Sequence, residues 1–283
     1  MTSRIAIITN GNYFSRLILE DVFNNPEIEI CCVIVITGDY KARSGLRALL
    51  ALSFSTAFPY LIYKVFLYVI FKVAKIFFRW AKFGVVDLLE GTSIPLKFAL
   101  DVNSDNVKKI LKKVAPDLLI SVSCPQQVSV EILEIPTVNS INIHSSLLPK
   151  YAGLAPYYWV LCNGEKLSGT TVHYMSPKLD EGNILVQSKI EVPPGISTFQ
   201  LFRTLALEGR KILPEAVKLA LQRHPGYKQE SSERSYYSLP TLRSYLKLKT
   251  RGHSLLKFGE ILSVFEEELQ RSKIDVLSDE EKS

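Results

Sequence analysis

Three polar residues in the second half of the sequence have the types that acyl transfer to an amine requires. Asn142 and His144 lie two residues apart in an apolar run, so in a strand their side chains share one face. Asp180 lies in the turn-like stretch SPKLDEG. An amide N–H stabilises an oxyanion, an imidazole moves protons near neutral pH, and a carboxylate orients and charges the imidazole. Structural roles stay open at this point, because buried histidines are often hydrogen-bonded in the core and Asp is common in turns.

Apolar runs and helical spacing predict the α/β elements that position these residues. The runs that are typical of strands are 5–9, 29–37, 118–122, 137–144, 169–174 and 183–190. The segments with helical spacing are 14–23, 104–114 with Ser104 as its cap, and 198–223 with a capping box at Ser197 and Gln200. Buried strands joined by a helix indicate a parallel sheet with right-handed crossovers. Pro214 is expected to break or kink the last helix.

The loop after the first strand is a candidate binding segment. Asn10, Gly11 and Asn12 follow residues 5–9, and ligands of parallel sheets bind beyond the carboxyl ends of the strands. The three residues are therefore predicted to contact a substrate. An ordinary strand-to-helix turn explains the same residue types equally well.

Residues 46–83 interrupt the α/β pattern with an apolar segment. Its longest uncharged run, residues 48–63, is shorter than the ~20 residues that span a bilayer and contains Pro59. At 100° per residue, five of its cations fall within an arc of about 80°. These are Lys64, Lys72, Lys75, Arg79 and Lys82. The pattern favours a helix in a membrane interface, with a helical hairpin packed on the body or in a dimer interface as the alternative.

Composition restricts the class of protein without identifying it. The 283 residues are 47% hydrophobic with a net charge of +6, which permits a large core and suits a phosphate, a nucleic acid or an acidic membrane as partner. The cysteines form no CxxC pair, and a reducing, cytoplasmic setting is expected for Cys31, Cys32, Cys124 and Cys162. The N-terminal residues lack the apolar stretch of a secretory signal.

Two motifs resemble the formyltetrahydrofolate-dependent formyltransferases, a family that includes methionyl-tRNA, glycinamide ribonucleotide and sugar-nucleotide formyltransferases. The first is NIHSSLLPKYAGLAP, which begins at Asn142, and the second is GTTVHYMSPKLDEGNILVQ, which contains Asp180. The match is dense over residues 116–187, weaker over 1–40, and does not cover 46–83 or the last 60 residues. Ser145 is one departure, because many relatives have Pro after the histidine. The implied fold is a Rossmann-like, mostly parallel α/β sheet with flanking helices.

The resemblance implies roles for the matching residues. Asn142, His144 and Asp180 correspond to the catalytic trio, and transfer is expected to be direct, with formyltetrahydrofolate as co-substrate, no acyl-enzyme and no metal. The pterin pocket corresponds to the loop of Cys124, Pro125, Gln126, Gln127 and Val128 and to the loop that contains Ser176 and Leu179. Ser146 and Tyr151, in the loop after the histidine, are expected on the substrate side. His173 is expected to support the three catalytic residues rather than to contact the substrate.

The predicted protein is a formyltransferase with a catalytic domain at 1–222, which includes the 46–83 insertion, and a C-terminal extension at 223–283. The tail has helical periodicity, whereas the tRNA enzymes of the family add a β-barrel, so a nucleic acid is not the expected partner. The expected acceptor is a small-molecule or lipid-linked amine, such as an amino sugar, with peripheral membrane contact through 46–83. A methionyl-tRNA formyltransferase, a catalytically idle folate or nucleotide binder, a membrane-associated scaffold and a homodimer remain alternatives.

Overall fold

A seven-stranded, mostly parallel sheet forms the centre of the molecule. The computed structural model describes residues 2–45, 47 and 56–280, with side chains as far as residue 271. The strands are β1 (Ser3–Thr9), β2 (Ile28–Ile36), β3 (Leu96–Ala99), β4 (Leu118–Val122), β5 (Asn139–His144), β6 (Ala152–Gly153), β7 (Leu167–Tyr174), β8 (Ile184–Glu191) and β9 (Tyr236–Tyr237). The main sheet has the order β3-β2-β1-β4-β5-β7-β8, and β6 pairs with β9 in a small second sheet. Strands β1 to β5 pair in parallel, whereas β7 and β8 are antiparallel.

Helices cover both faces of this sheet. They are α1 (Tyr13–Phe23), α2 (Phe58–Phe77), α3 (Asp105–Val114), α4 (Val130–Leu133), α5 (Pro156–Asn163), α6 (Thr198–Leu221), α7 (Leu242–Thr250) and α8 (Phe258–Glu280). Apolar side chains of β1 and β2 are buried on both sides, which confirms the predicted βαβ unit. Ser104 caps α3 by accepting from the Val107 N–H, as predicted.

Pro214 was predicted to break or kink the last helix, and the break is wrong. Helix α6 runs unbroken for 24 residues with Pro214 inside it. Its buried face, which includes Leu205, Gly209 and Leu213, packs against α1, β7 and β8. The packing of this face offsets the hydrogen bond that proline cannot donate. Ser197 caps the helix by accepting from Gln200 N–H at 2.9 Å.

Helix α2 holds only part of the predicted cationic stripe. The helix ends at Phe77, so Arg79 and Lys82 follow it instead of extending the stripe. Lys75 lies 3.1 Å from Asp87 and 3.2 Å from Glu90, which makes it a structural ion-pair partner. In the part of the chain that the structure describes, no helix combines the length and hydrophobicity needed to cross a bilayer. Residues 46 and 48–55 of the predicted insertion lie outside the described residues.

The C-terminal residues pack back on the sheet. Strand β9 lies beside β6, and α8 reaches α1 through an ion pair of 2.9 Å between Glu268 and Arg16, both almost fully buried. The helical periodicity predicted for the tail is confirmed by α7 and α8.

Candidate active site

The end of β5 and the β7–β8 connection bring the predicted trio together. Asn142 and His144 lie on β5, and Asp180 lies in the connection between β7 and β8. The Asp180 Oδ2 atom is 3.8 Å from His144 Nδ1. His144 and Asp180 are each 8% exposed, so water screens their interaction poorly. A protonated His144 at this distance forms an ion pair with the carboxylate.

A backbone carbonyl fixes the orientation of His144. Its Nε2–H donates to the Tyr151 carbonyl at 2.9 Å. In the neutral imidazole this leaves Nδ1 as the nitrogen with a free lone pair, on the side of Asp180. His144 is therefore arranged to take up a proton at Nδ1 and to share the resulting charge with the carboxylate.

His173 positions Asn142. The two residues are direct partners in the antiparallel β5–β7 pair. The Nδ1–H of His173 donates to the Tyr174 carbonyl at 2.8 Å, so Nε2 accepts from the Asn142 amide at 3.2 Å. Burial lowers the pKa of His173 below its usual value, which outweighs the opposite effect of Asp180 and keeps the ring neutral. One amide hydrogen of Asn142 is thereby bound, and the other remains for a ligand.

The backbone around Asp180 holds its carboxylate in place. Asp180 has a φ of +55°, and its Oδ2 accepts from Gly153 N–H at 2.9 Å. Its own carbonyl accepts from Gln229 at 3.0 Å. Its Oδ1 lies 3.7 Å from His173 Nε2. These contacts aim the carboxylate between the two histidines.

A cavity of about 380 Å³ opens beside the trio. Most of the predicted site residues line it. These are Asn10, Asn12, Cys124, Pro125, Gln126, Gln127, Val128, Asn142, His144, His173, Ser176, Leu179 and Asp180. The cavity therefore joins the predicted pterin loops, the trio and the loop after β1 in one space.

Three predicted substrate-binding residues do not line the cavity, and each has a structural role instead. Ser146 is fully buried and donates to the Lys150 carbonyl. The Tyr151 hydroxyl donates to Glu165, while its ring stacks on Tyr237 at 5.2 Å. Gly11 turns the loop with a φ of +73°, where an added Cβ would lie 3.1 Å from Val35.

The two loops predicted to hold the pterin are joined to each other. Gln127 Nε2 donates to the Pro177 carbonyl at 2.8 Å. Gln126 also connects to its surroundings, since its Nε2 donates to the carbonyls of Asp39 and Leu100. Burial raises the pKa of the Cys124 thiol to about 12, so it stays protonated and is a poor nucleophile at neutral pH.

In Asn10 and Asn12, after β1, the side-chain oxygen has a structural role and the side-chain NH2 group is available to a ligand. Asn12 Oδ1 caps α1 by accepting from Ser15 N–H at 3.0 Å, and Asn10 Oδ1 accepts from Asn12 N–H and the Ser15 hydroxyl. Within the described part of the protein, neither Nδ2 group donates a hydrogen bond. Both side chains line the cavity, so these amides are donors for a ligand.

Several cavity residues come from segments where no site was predicted. Lys64 on α2 and Tyr236 on β9 both line the cavity, as do Tyr40 and Phe202. The hydroxyls of Tyr60 and Tyr157 lie 3.1 Å apart, and the Tyr157 ring stacks on Phe202 at 4.0 Å. The one sequence signal for these residues was the aromatic and cationic content of residues 46–83. That content does not indicate which of its side chains face a cavity. Among residues 2–45, 47 and 56–280, no group of three or more metal-binding side chains converges.

The predicted trio lies in the part of the chain that matches a known protein family. Residues 92–217 match the family described as Formyl transferase. A methionyl-tRNA formyltransferase of Clostridium tetani is 35% identical over 130 residues, which are 46% of this chain and 42% of that enzyme. Among curated relatives that match, the share covered by this chain is about half or less, with 20%, 42% and 46% in three of them.

Solved structures of low sequence identity show that the fold extends over most of the chain. An N-formyltransferase from Helicobacter canadensis, in complex with folinic acid and dTDP-3-aminofucose, has a TM-score of 0.55 at 17% identity and covers 83% of this chain and 71% of its own. A phosphoribosylglycinamide formyltransferase from Anaplasma phagocytophilum has a TM-score of 0.56 at 20% identity, with 84% and 99% covered. This agreement confirms the predicted Rossmann-like α/β fold.

Proposed function

We propose that the protein transfers a formyl group from formyltetrahydrofolate to a primary amine, because residues 92–217 match the family described as Formyl transferase. The observation that carries this proposal is the convergence of Asn142, His144 and Asp180 at one cavity. The complex of the Helicobacter enzyme with folinic acid supports a folate as the co-substrate.

In the proposed reaction, the neutral amine of the acceptor attacks the formyl carbon directly. The free amide hydrogen of Asn142 donates to the oxyanion of the tetrahedral adduct. A proton leaves the attacking nitrogen and is taken up by His144 at Nδ1, where Asp180 stabilises the imidazolium. The carbon–nitrogen bond to the folate then breaks, and the same proton goes to the folate nitrogen. The products are the formamide and tetrahydrofolate, so atoms and charge balance without an acyl-enzyme.

The pterin of the co-substrate is proposed to lie between the two joined loops. The loop of Cys124 to Val128 and the loop around Ser176 and Leu179 both line the cavity, and the Gln127 side chain holds them together. Backbone groups of such loops recognise the edge of a flat heterocycle, while apolar side chains contact its faces. In this arrangement the formyl group is proposed to face Asn142 and His144.

We propose an amino sugar, linked to a nucleotide or to a lipid, as the acceptor. The remaining wall of the cavity combines tyrosine rings at Tyr40, Tyr157 and Tyr236 with a cation at Lys64. Aromatic rings pack on apolar faces of a sugar, and a lysine attracts a phosphate. The aminofucose nucleotide bound by the Helicobacter enzyme supports this class of acceptor.

Initiator tRNA is the second candidate acceptor. The methionyl-tRNA formyltransferases among the curated relatives favour it, and a net charge of +6 is compatible with a nucleic acid. A catalytically idle folate binder with the same fold is the third candidate, and the complete trio argues against it.

Release of tetrahydrofolate tests the proposal. Purified protein is incubated with formyltetrahydrofolate and, in separate reactions, with amino-sugar nucleotides, lipid-linked amino sugars or methionyl-tRNA. His144→Ala is expected to lower kcat at least about 100-fold, because proton transfer by a positioned side chain contributes roughly 10²–10⁴-fold. Tyr227→Phe, at an exposed position outside the cavity, is the matched control. The proposal would be contradicted if the wild-type protein released tetrahydrofolate with none of these acceptors. It would also be contradicted if His144→Ala released tetrahydrofolate as fast as the wild type.

We also propose a cytoplasmic protein in peripheral contact with the inner face of the membrane. The four cysteines are free thiols, as expected in a reducing compartment. The described part of the 46–83 segment exposes apolar side chains, which supports membrane contact.

A further inference from the structure

Helix α2 has one exposed face made almost entirely of apolar side chains. We call it the α2 apolar face and define it by Ile62, Phe66, Val69, Val73, Ile76 and Phe77, which are 38–73% exposed. At 100° per residue these six positions lie within an arc of about 100°. Phe58 at the start of the helix and Trp80 just after it are 66% and 48% exposed. A contiguous exposed apolar surface of this kind is unusual for a soluble protein and marks a contact site.

The opposite face of α2 is already used by the fold. Tyr60, Tyr63 and Leu67 are buried, and Ala74 packs with Phe83 in a small cluster. Tyr60 bonds Tyr157 at the cavity, and the ring of Phe71 stacks on Tyr13 at 4.7 Å. The helix is therefore fixed on the body in one orientation, and the apolar face is presented outward.

The charges beside the face are positive. Helix α2 contains no acidic residue. Lys72 is exposed and lies 4.7 Å from the centre of the Tyr68 ring, and Arg79 is exposed just after the helix. Neither cation has an ion-pair partner among the residues that the structure describes. An apolar face bordered by aromatic rings and free cations is the pattern of helices that lie on anionic membranes.

A second copy of the chain fits this face less well. A two-fold interface brings the same surface of both protomers together. In such a dimer, Lys72 and Arg79 of each protomer would face the partner's α2, which contains no acidic residue to pair with them. Anionic lipid headgroups supply the missing negative charge, and acyl chains accept the apolar side chains.

We infer that the α2 apolar face binds the surface of an anionic phospholipid bilayer. The inference deepens the proposed membrane contact, on which it rests, by assigning the surface and the lipid class. It concerns the far side of α2 from the cavity, so its failure leaves the proposed formyl transfer standing. Lys64 of the same helix lines the cavity. The bilayer therefore lies about one helix diameter, roughly 10 Å, from the cavity wall.

Vesicle sedimentation of the full chain tests this inference. Wild-type protein is mixed with vesicles of phosphatidylcholine alone or with added phosphatidylglycerol. Binding is expected only to the anionic vesicles and is expected to weaken with salt. The double variant Val69→Glu/Ile76→Glu, at positions 49% and 71% exposed, is expected to reduce binding at least about tenfold, because both changes put charge into the apolar contact. The control Tyr227→Glu adds one negative charge away from α2, at a position that is 68% exposed and pairs with β8, and it is expected to bind as wild type.

A second measurement needs no change on the apolar face. The chain has two tryptophans, so Trp159→Phe leaves Trp80 as the single fluorophore. Its emission is expected to shift to shorter wavelength with anionic vesicles and to be quenched by brominated lipid. No binding of wild-type protein to anionic vesicles overturns the inference, as does equal binding of the double variant. A dimer in sedimentation analysis that the double variant dissociates, without vesicle binding, assigns the face to a second copy and also overturns it.

Discussion

At the scale of single residues, the site depends on which nitrogen of each histidine carries a proton. His144 and His173 each donate one ring N–H to a backbone carbonyl, at 2.9 and 2.8 Å. The free nitrogens then serve different partners, because His144 Nδ1 faces Asp180 and His173 Nε2 accepts from Asn142. In the proposed reaction, the carbonyls that hold the two histidines thus assign proton transfer to His144 and the positioning of Asn142 to His173.

His173→Ala is expected to lower kcat by about 10–100-fold with a smaller effect on KM. Asn142 loses the acceptor that aims its amide, and small displacements of a catalytic group are costly. His173→Gln retains an acceptor and a donor and is expected to recover most of the loss. Steady-state kinetics of tetrahydrofolate release measure both variants. An alanine variant as active as wild type would contradict the positioning role.

The same histidine predicts how pH acts on activity and stability. Burial lowers the folded-state pKa of His173 below the 6.5 of an unperturbed histidine. The unfolded chain therefore takes up this proton at higher pH than the folded protein does. The corresponding stability is fully present above pH 6.5 and is lost as pH falls through the folded-state pKa. If protonation of His173 lowers kcat at low pH, His173→Gln should lose at least part of this acidic decrease. A pH profile of kcat that is unchanged in His173→Gln assigns the decrease to another group.

At the scale of elements, the short β6–β9 pair connects the tail to the trio. Gly153 of β6 donates to Asp180, and β9 supplies Tyr236 to the cavity. Gly153 has a φ of +96°, and an added Cβ would lie 2.2 Å from the Tyr237 carbonyl oxygen. Glycine is required here both by the backbone conformation and by the close approach of β9.

Gly153→Ala is therefore expected to lower the free energy of unfolding by about 2–4 kcal/mol. Urea denaturation followed by circular dichroism measures it. Gly259→Ala is the matched control, since Gly259 lies in the first turn of α8 with nothing within 4 Å of an added Cβ. The control is expected to change stability by less than about 1 kcal/mol and in the favourable direction. Equal effects of the two substitutions would show that β9 gives way to the new methyl group.

The elements that could be predicted from the sequence are those with strong local signals. Buried runs such as β1 and β2, and caps such as Ser104, determine strands and helix starts within a few residues. The prediction that Asn142 and His144 share one face of their strand followed from the alternation of strand side chains. Strand β3 was not predicted, because it is four residues long and half exposed. The continuity of α6 through Pro214 depends on packing against distant strands, which local propensity does not contain.

At the scale of the whole molecule, the cavity wall is assembled from both ends of the chain. Asn10 and Lys64 approach it from the N-terminal part, and Tyr236 approaches from the C-terminal part. Such convergence has no periodic signature in the sequence, which is why Lys64 and Tyr236 were missed. We retain as a proposal the division into a catalytic domain at 1–222 and an extension at 223–283, with the extension contributing Tyr236 to the site.

The buried ion pair between Arg16 and Glu268 joins residues from both ends of the chain. Their side chains are 2% and 3% exposed, and Arg16 Nε has no hydrogen-bond partner. Burial raises the pKa of Glu268 despite the opposing effects of Arg16 and Arg271. The pair is therefore costly to bury, although removing one member takes a close opposite charge away from the other in a buried position.

Glu268→Leu is expected to lower the free energy of unfolding by up to about 3–5 kcal/mol, because buried Arg16 loses its nearer carboxylate and keeps Glu20, at 3.4 Å, as its ion-pair partner. The double variant Arg16→Met/Glu268→Leu is expected to recover most of this loss, since it removes both charges at similar volume. Glu267→Leu, whose 43% exposed side chain pairs with Arg203, is the control and should cost no more than about 1 kcal/mol. Urea denaturation of the wild type, of the single variants Arg16→Met and Glu268→Leu and of the double variant gives the coupling energy of the pair. A double variant as unstable as the single one would show that the ion pair itself, and not the isolated charge, holds α8 on α1.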